Sequence, residues 1–318
     1  MTGRFQEFLA TKAVLLADGA MGSSLIARGL SPRDAPELWN LSRPDEIREI
    51  HRQFIGAGAD IILTNSFGAN ACRLGPQGRG DKVGGLNIAA ARIARSAADA
   101  AGREVLVAGS IGPLGTAVAE SGLLTPAAAF VAFKSQAAAL KQGGVDLLWI
   151  ETLSGRAELR AALAAAADCA LPAIATLSFH SGQKGKDTLC PADLPAFLRA
   201  LGAPPLAWGS NCGDGPREVL HHLRDFGGQA RASDIIAVKA NCGLPIREGD
   251  ALRYPATPAV MAAYARLAAD LGARIIGGCC GTTPAHLQAM AAALEAYEPK
   301  PAPTATEIDD IFARVGSG

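Results

Sequence analysis

"ARIIGGCCGTTPAHL", residues 273–287, joins a short apolar run, a glycine-rich bend and a hydroxyl–proline pair. Near-continuous branched apolar residues suit a strand buried on both faces. Thr283 before Pro284 suits an N-cap followed by the first helical position. The unit is a strand delivered directly into a helix, and it recurs upstream. "AVLLADG" (13–19), "DIILTNSF" (60–67), "EVLVAGSIG" (104–112) and "VDLLWIET" (145–152) are runs of the same kind. So are "AIATLSF" (173–179), "PLAWGSNC" (205–212) and "DIIAVKANC" (234–242). Thr125-Pro126 and Thr257-Pro258 repeat the helix start, while Gly143-Gly144 and Gly272-Ala273 close helices before the next strand. Eight strands alternating with helices predict an α/β fold, a (β/α)8 TIM barrel, over residues 1–298. A doubly wound open sheet is the alternative, but it has no reason to stop at eight. The Pro-rich tail, residues 299–318, breaks the pattern and reads as a linker with one short amphipathic turn. It is expected to be a surface arm, either exchanged between copies in a homo-oligomer or disordered.

Thirty basic residues balance thirty acidic ones, so no polyanionic partner such as nucleic acid is expected. Seven cysteines in 318 residues do not resemble a secreted disulfide framework. The best apolar run, residues 170–179, is too short to cross a membrane and contains Pro172. Glu7 and the brevity of "AVLLA" argue against a signal peptide. A reducing, cytoplasmic setting is expected.

Catalytic groups of such a barrel gather at the carboxyl ends of its strands. Those ends carry Asp18, Thr64, Asn65, Ser66, Glu151, Asn211, Cys212, Asn241, Cys242, Cys279 and Cys280. Adjacent residues of a regular strand face opposite ways, so Cys279 and Cys280 need a bend to converge. Gly277, Gly278 and Gly281 allow one. Thiolates from several points around a mouth suit a soft tetrahedral ion, with zinc as the default. Three protein donors leave its fourth position open. The third donor is ambiguous, because "SNCG" (210–213) and "ANCG" (240–243) are near-duplicates. Cys72, Cys169 and Cys190 read as small buried hydrophobes. A phosphate cradle at "GGCCGTTP" is the rival reading, although it has no use for cysteines.

Five stretches carry a resemblance. "DGAMGSSL" (18–25), "ADIILTNSFGAN" (59–70), "WIET" (149–152), "GSNCGDGP" (209–216) and "IIGGCCGTTPAHL" (275–287) resemble the homocysteine S-methyltransferases, in order, from Leu15 to Ala293. That family of zinc-dependent barrels includes betaine–homocysteine methyltransferases and the homocysteine module of cobalamin-dependent methionine synthase. The resemblance implies methyl transfer to the thiol of L-homocysteine, forming methionine. It selects Cys212 over Cys242, giving a Zn2+ site of Cys212, Cys279 and Cys280 as the catalytic centre. It implies that Asp18, beside Gly19, and Glu151 receive the ammonium of homocysteine, and that Thr64, Asn65, Ser66 and Phe67 hold its carboxylate. Taken singly, Asp18 could be an N-cap and Glu151 a solvated strand end. No cobalamin or folate module lies within the sequence, so a small donor is expected. Betaine is favoured over a sulfonium such as S-methylmethionine or S-adenosylmethionine, and a methylcorrinoid protein partner stays open. Trp39 in "DAPELWN" is the expected donor-binding ring, although Gly68 and Thr152 replace the tyrosines of the animal betaine pocket. Rivals outside methyl transfer are a non-catalytic zinc-binding protein and a phosphate-binding barrel.

Overall fold

A computed structural model describes residues 2–31, 34–179, 187–248, 251–295 and 297–316. Eight of its strands are short and parallel: β1 (Leu15–Leu16), β2 (Ile61–Leu63), β3 (Leu106–Ile111), β4 (Leu147–Leu153), β5 (Ala173–Leu177), β6 (Ala207–Cys212), β7 (Ile236–Ala240) and β10 (Ala273–Gly278). They are hydrogen-bonded in the order β1-β10-β7-β6-β5-β4-β3-β2. A parallel bridge between Ala17 and Ile61 joins the two ends of that order, so the sheet closes into a (β/α)8 barrel. Seven sit wholly inside the apolar runs predicted for them, and β4 runs one residue past its own, to Leu153. An antiparallel hairpin, β8 (Ile246–Glu248) with β9 (Ala251–Arg253), stands apart after β7 and has no counterpart in the sequence prediction.

Alternation along each strand sorts side chains between two cores. Leu15, Leu147, Trp149, Ala237 and Ile275 fill the barrel interior. Leu16, Leu148, Ile150, Val238 and Ile276 face the surrounding helices. The N-terminal helix Thr2–Thr11 lays Phe5 and Phe8 into the interior cluster, which stoppers the barrel at the end opposite the carboxyl ends of the strands. Trp149 is fully buried above them, with its indole N–H donating to Thr176 Oγ1 at 3.0 Å.

The predicted helix starts are present at Thr125 and Thr257, whose hydroxyls accept from the amides of Ala128 and Val260. The helix Pro284–Glu295 also begins where predicted, but the Thr283 hydroxyl pairs with His286 Nδ1 at 2.7 Å. The tail differs as well. Residues Ala305–Val315 form a helix opened by a capping box between Thr304 and Glu307. Ile308 and Phe312 are buried in the helix-facing core, and Asp309 pairs with Arg217 and His221 of the helix Pro216–Gly227. What the sequence suggests as one turn on a loose arm is a docked helix, because its two apolar residues at i and i+4 share one face.

Candidate metal centre and substrate cavity

Strand parity alone would turn Cys212 and Cys280 away from the barrel mouth, toward the helices. The backbone corrects both. Cys212 adopts a left-handed φ of 66°, rare for a residue with a side chain. Asn211 braces that end of β6, accepting from the amide of Thr152 at 2.9 Å and donating to its hydroxyl at 2.8 Å. Beyond β10 the chain turns at once, with the Thr282 amide donating to Cys279 O at 3.1 Å. Two glycines are required there. Gly281 has φ 80° and lies under the Tyr254 ring, and a Cβ on Gly278 would come within 2.2 Å of Thr282 Oγ1. As a result one sulfur each from Cys212, Cys279 and Cys280 lies within 4.8 Å of the others.

Asn241 clamps this cluster. Its amide group donates to Cys212 Sγ at 3.3 Å and to Gly213 O at 2.7 Å, while its oxygen accepts from the Cys280 amide at 2.9 Å. Hydrogen bonds from the thiols of Cys279 and Cys280, and from Asn241, hold the Cys212 thiol well below the ordinary thiol range. The other two thiols are raised, since each loses a favourable hydrogen bond with Cys212 on ionising and would meet its negative charge. Without a cation the cluster supports one thiolate. Three together require a positive ion, and an all-sulfur donor set of this compactness fits a soft divalent metal. Cys242 stays outside the cluster. It keeps the outward parity of β7, is fully buried, and places its sulfur 3.3 Å from Thr282 Oγ1. Burial pushes its thiol up to about 11.

The cluster opens into a cavity of about 490 Å3. Every residue expected to bind substrate lines it: Asp18, Gly19, Thr64, Asn65, Ser66, Phe67 and Glu151. The side chains of the 64–66 segment are tied into the protein. Thr64 and Ser66 hydroxyls pair at 2.6 Å, Ser66 donates to Ser110 O, and Asn65 donates to Pro36 O and Asn40 Oδ1. The segment is thereby rigid, which suits a surface that orients a ligand. Glu151 accepts from the Ser110 hydroxyl. Burial pushes the Glu151 carboxyl up to about 7, with Lys239 opposing the rise.

Trp39 does not line the cavity. Its ring packs in the core with the Arg43 guanidinium 4.4 Å from its centroid, so the expected donor contact is absent from this arrangement. The cavity lining also includes Asp34, Glu37, Phe67, Arg73 and Gln77. Arg73 is fixed by donation from Nε to Pro113 O at 2.6 Å, and its guanidinium lies 5.7 Å from the Phe67 centroid. Lys239 is the residue that sequence reasoning passed over. It reaches into the barrel from β7, buried, with Nζ 2.7 Å from Asp18 Oδ1 and 5.3 Å from the Trp149 ring centroid. A lysine at an inward position of "DIIAVKANC" was the available signal.

Comparisons with known proteins point to one family. The profile of the family described as homocysteine S-methyltransferase matches residues 15–294. Methionine synthase of Mycobacterium tuberculosis is 34% identical over 300 residues, covering 89% of this chain and 25% of that protein. Methionine synthase of Mycobacterium leprae is 33% identical over 297 residues, covering 88% and 24%. The chain thus spans about a quarter of the length of the curated relatives it matches. The crystal structure of the homocysteine methyltransferase MmuM from Escherichia coli, metallated form, superposes with a TM-score of 0.73 at 28% identity. That match covers 91% of this chain and 99% of the other.

Proposed function

The chain belongs to the homocysteine S-methyltransferase family, and from that premise we propose that it moves a methyl group from a small onium donor to the thiol of L-homocysteine. The observation that carries the reading is the convergence of three sulfurs at the mouth of the cavity that holds Asp18 and Glu151. Cys212, Cys279 and Cys280 would hold Zn2+. When bound, that ion supplies the charge that keeps an incoming thiol ionised at neutral pH, where a free thiol of pKa roughly 8.5 is mostly protonated.

The remaining work falls to the protein. Asn241 fixes the spacing of Cys212 and Cys280. Glu151 offers a carboxylate to the acceptor's ammonium, and the rigid 64–67 segment faces its carboxylate. Holding both reactants in line is worth several powers of ten in rate. The S–C bond forms as the donor's bond from methyl carbon to nitrogen breaks, and the electron pair leaves with the nitrogen. Arg73 together with Asp34, Glu37 and Phe67 suits a zwitterionic donor, and betaine is the donor we favour. A sulfonium would use the same groups. The second reading, a protein-borne methylcorrinoid donor, is favoured by the match to methionine synthases that extend far beyond the matched region. The barrel is the catalytic unit in both readings, working in a reducing compartment.

Zinc per chain, measured in the wild type, Cys212→Ala and Cys242→Ala, tests the centre. One equivalent is expected in the wild type and in Cys242→Ala, and none in Cys212→Ala. Each protein is then assayed for methionine with betaine, S-methylmethionine, S-adenosylmethionine and methylcobalamin. A wild type that is metal-free under reducing conditions, or zinc lost on removing Cys242 but kept on removing Cys212, overturns the assignment.

A further inference from the structure

Asp18 and Glu151 look like a pair of carboxylates awaiting an ammonium, but the protein brings an ammonium of its own. Lys239 Nζ lies 2.7 Å from Asp18 Oδ1, with the two side chains 3% and 2% exposed. The second oxygen of Asp18 accepts from the Leu63 amide at 2.7 Å. Both Asp18 oxygens are therefore engaged within the protein. Glu151 accepts from Ser110 and stands close enough to Lys239 to feel its charge. Burial works against the Lys239 ammonium, yet Asp18 and Glu151 together raise its pKa, so it stays charged. All three residues line the cavity beside Cys279.

A buried ion pair is a poor device for stability, since apolar residues of similar volume usually serve as well or better. One whose members both line a ligand cavity is better placed to act on the ligand. We propose that Lys239 is a built-in counter-cation that occupies Asp18, leaves Glu151 as the one carboxylate for the acceptor's ammonium, and so sets how strongly the site demands an α-amino group. The inference rests on the proposed acceptor site and deepens it. With one carboxylate answered from within, a thiol acid that lacks the amino group forfeits a single charge-assisted contact. Without Lys239, Asp18 would be a buried carboxyl with no partner cation, held neutral by a proton until an amino-bearing acceptor supplied the countercharge that a desamino thiol cannot. Lys239 is thus a specificity residue, widening the acceptor class toward simple mercaptoalkanoates.

The test compares L-homocysteine with its desamino counterpart, 4-mercaptobutanoate, by titration calorimetry on zinc-loaded protein with no donor present. In Lys239→Met the ratio of the two dissociation constants should shift toward homocysteine by at least about tenfold, the worth of one hydrogen bond to a charged group. The double variant Asp18→Asn/Lys239→Met removes the pair together, and its ratio should return to within about threefold of the wild type. This variant also serves if Lys239→Met alone does not fold. A ratio unchanged in Lys239→Met, or a double variant that keeps the shifted ratio, overturns the role of Lys239. Methionine formation is assayed separately. If both thiols bind with the predicted ratios but no donor yields methionine, the transfer reading falls while the specificity reading stands.

Discussion

Asn241 shows how one side chain can organise a centre to which it contributes no donor atom. Replacing it with alanine removes the donor to Cys212 Sγ and the acceptor for the Cys280 amide. Asn241→Ala is expected to weaken zinc binding about 10–100-fold, measured by competition with a chromogenic chelator. His51 makes a different prediction at the same scale. Its ring is fully buried, neither nitrogen has a hydrogen-bond partner among the described residues, and burial lowers its pKa from 6.5 to about 3. The unfolded chain takes up that proton below pH 6.5 while the folded chain resists it until about pH 3. The stabilising effect of a neutral His51 is therefore complete above pH 6.5 and fades as pH falls toward 3. Between pH 6.5 and 5 the loss should be about 2 kcal/mol, and His51→Leu should abolish that part of the slope in urea titrations. Among single residues, spacing alone left Cys212 and Cys242 indistinguishable, and only the family resemblance selected Cys212. They share strand parity and a following glycine, and what separates them is the left-handed backbone at Cys212. That conformation is imposed by the tertiary brace from Asn211 to Thr152, which local composition does not encode.

Elements were legible where burial is two-sided. Each of the eight barrel strands shows itself as a continuous apolar run because both of its faces meet protein. The hairpin β8–β9 was not legible for the opposite reason: Ile246 and Leu252 are exposed, so no core pattern marks it. Tyr254, just beyond that hairpin, covers Gly281 and links it to the corner where Cys279 and Cys280 lie. Gly281→Ala would meet both a strained φ and the Tyr254 ring. A loss of about 1–3 kcal/mol from the backbone alone is expected, with reduced zinc content, read by thermal melting with and without added metal. The C-terminal helix was half legible. Its amphipathic turn was visible, but its docking depends on partners more than eighty positions earlier, such as Arg217 and His221.

At the scale of the molecule, the barrel carries the chemistry at one end, and we propose that residues 299–316 brace its outer wall. Phe312→Ala should cost about 3–5 kcal/mol of stability while leaving kcat unchanged, since Phe312 packs in the helix-facing core and does not line the cavity. Chemical denaturation and a turnover assay on the same sample check both halves. The stopper formed by Phe5 and Phe8 has a kinetic consequence. With the floor shut among the described residues, both reactants would enter from the carboxyl ends of the strands, and the proposed acceptor berth beside the buried Asp18 and Glu151 would be the deeper one. A donor that arrives early bars the corridor. Turnover should accordingly follow a strict queue, thiol first and donor second, visible as competitive inhibition by excess donor against homocysteine and never as ping-pong behaviour.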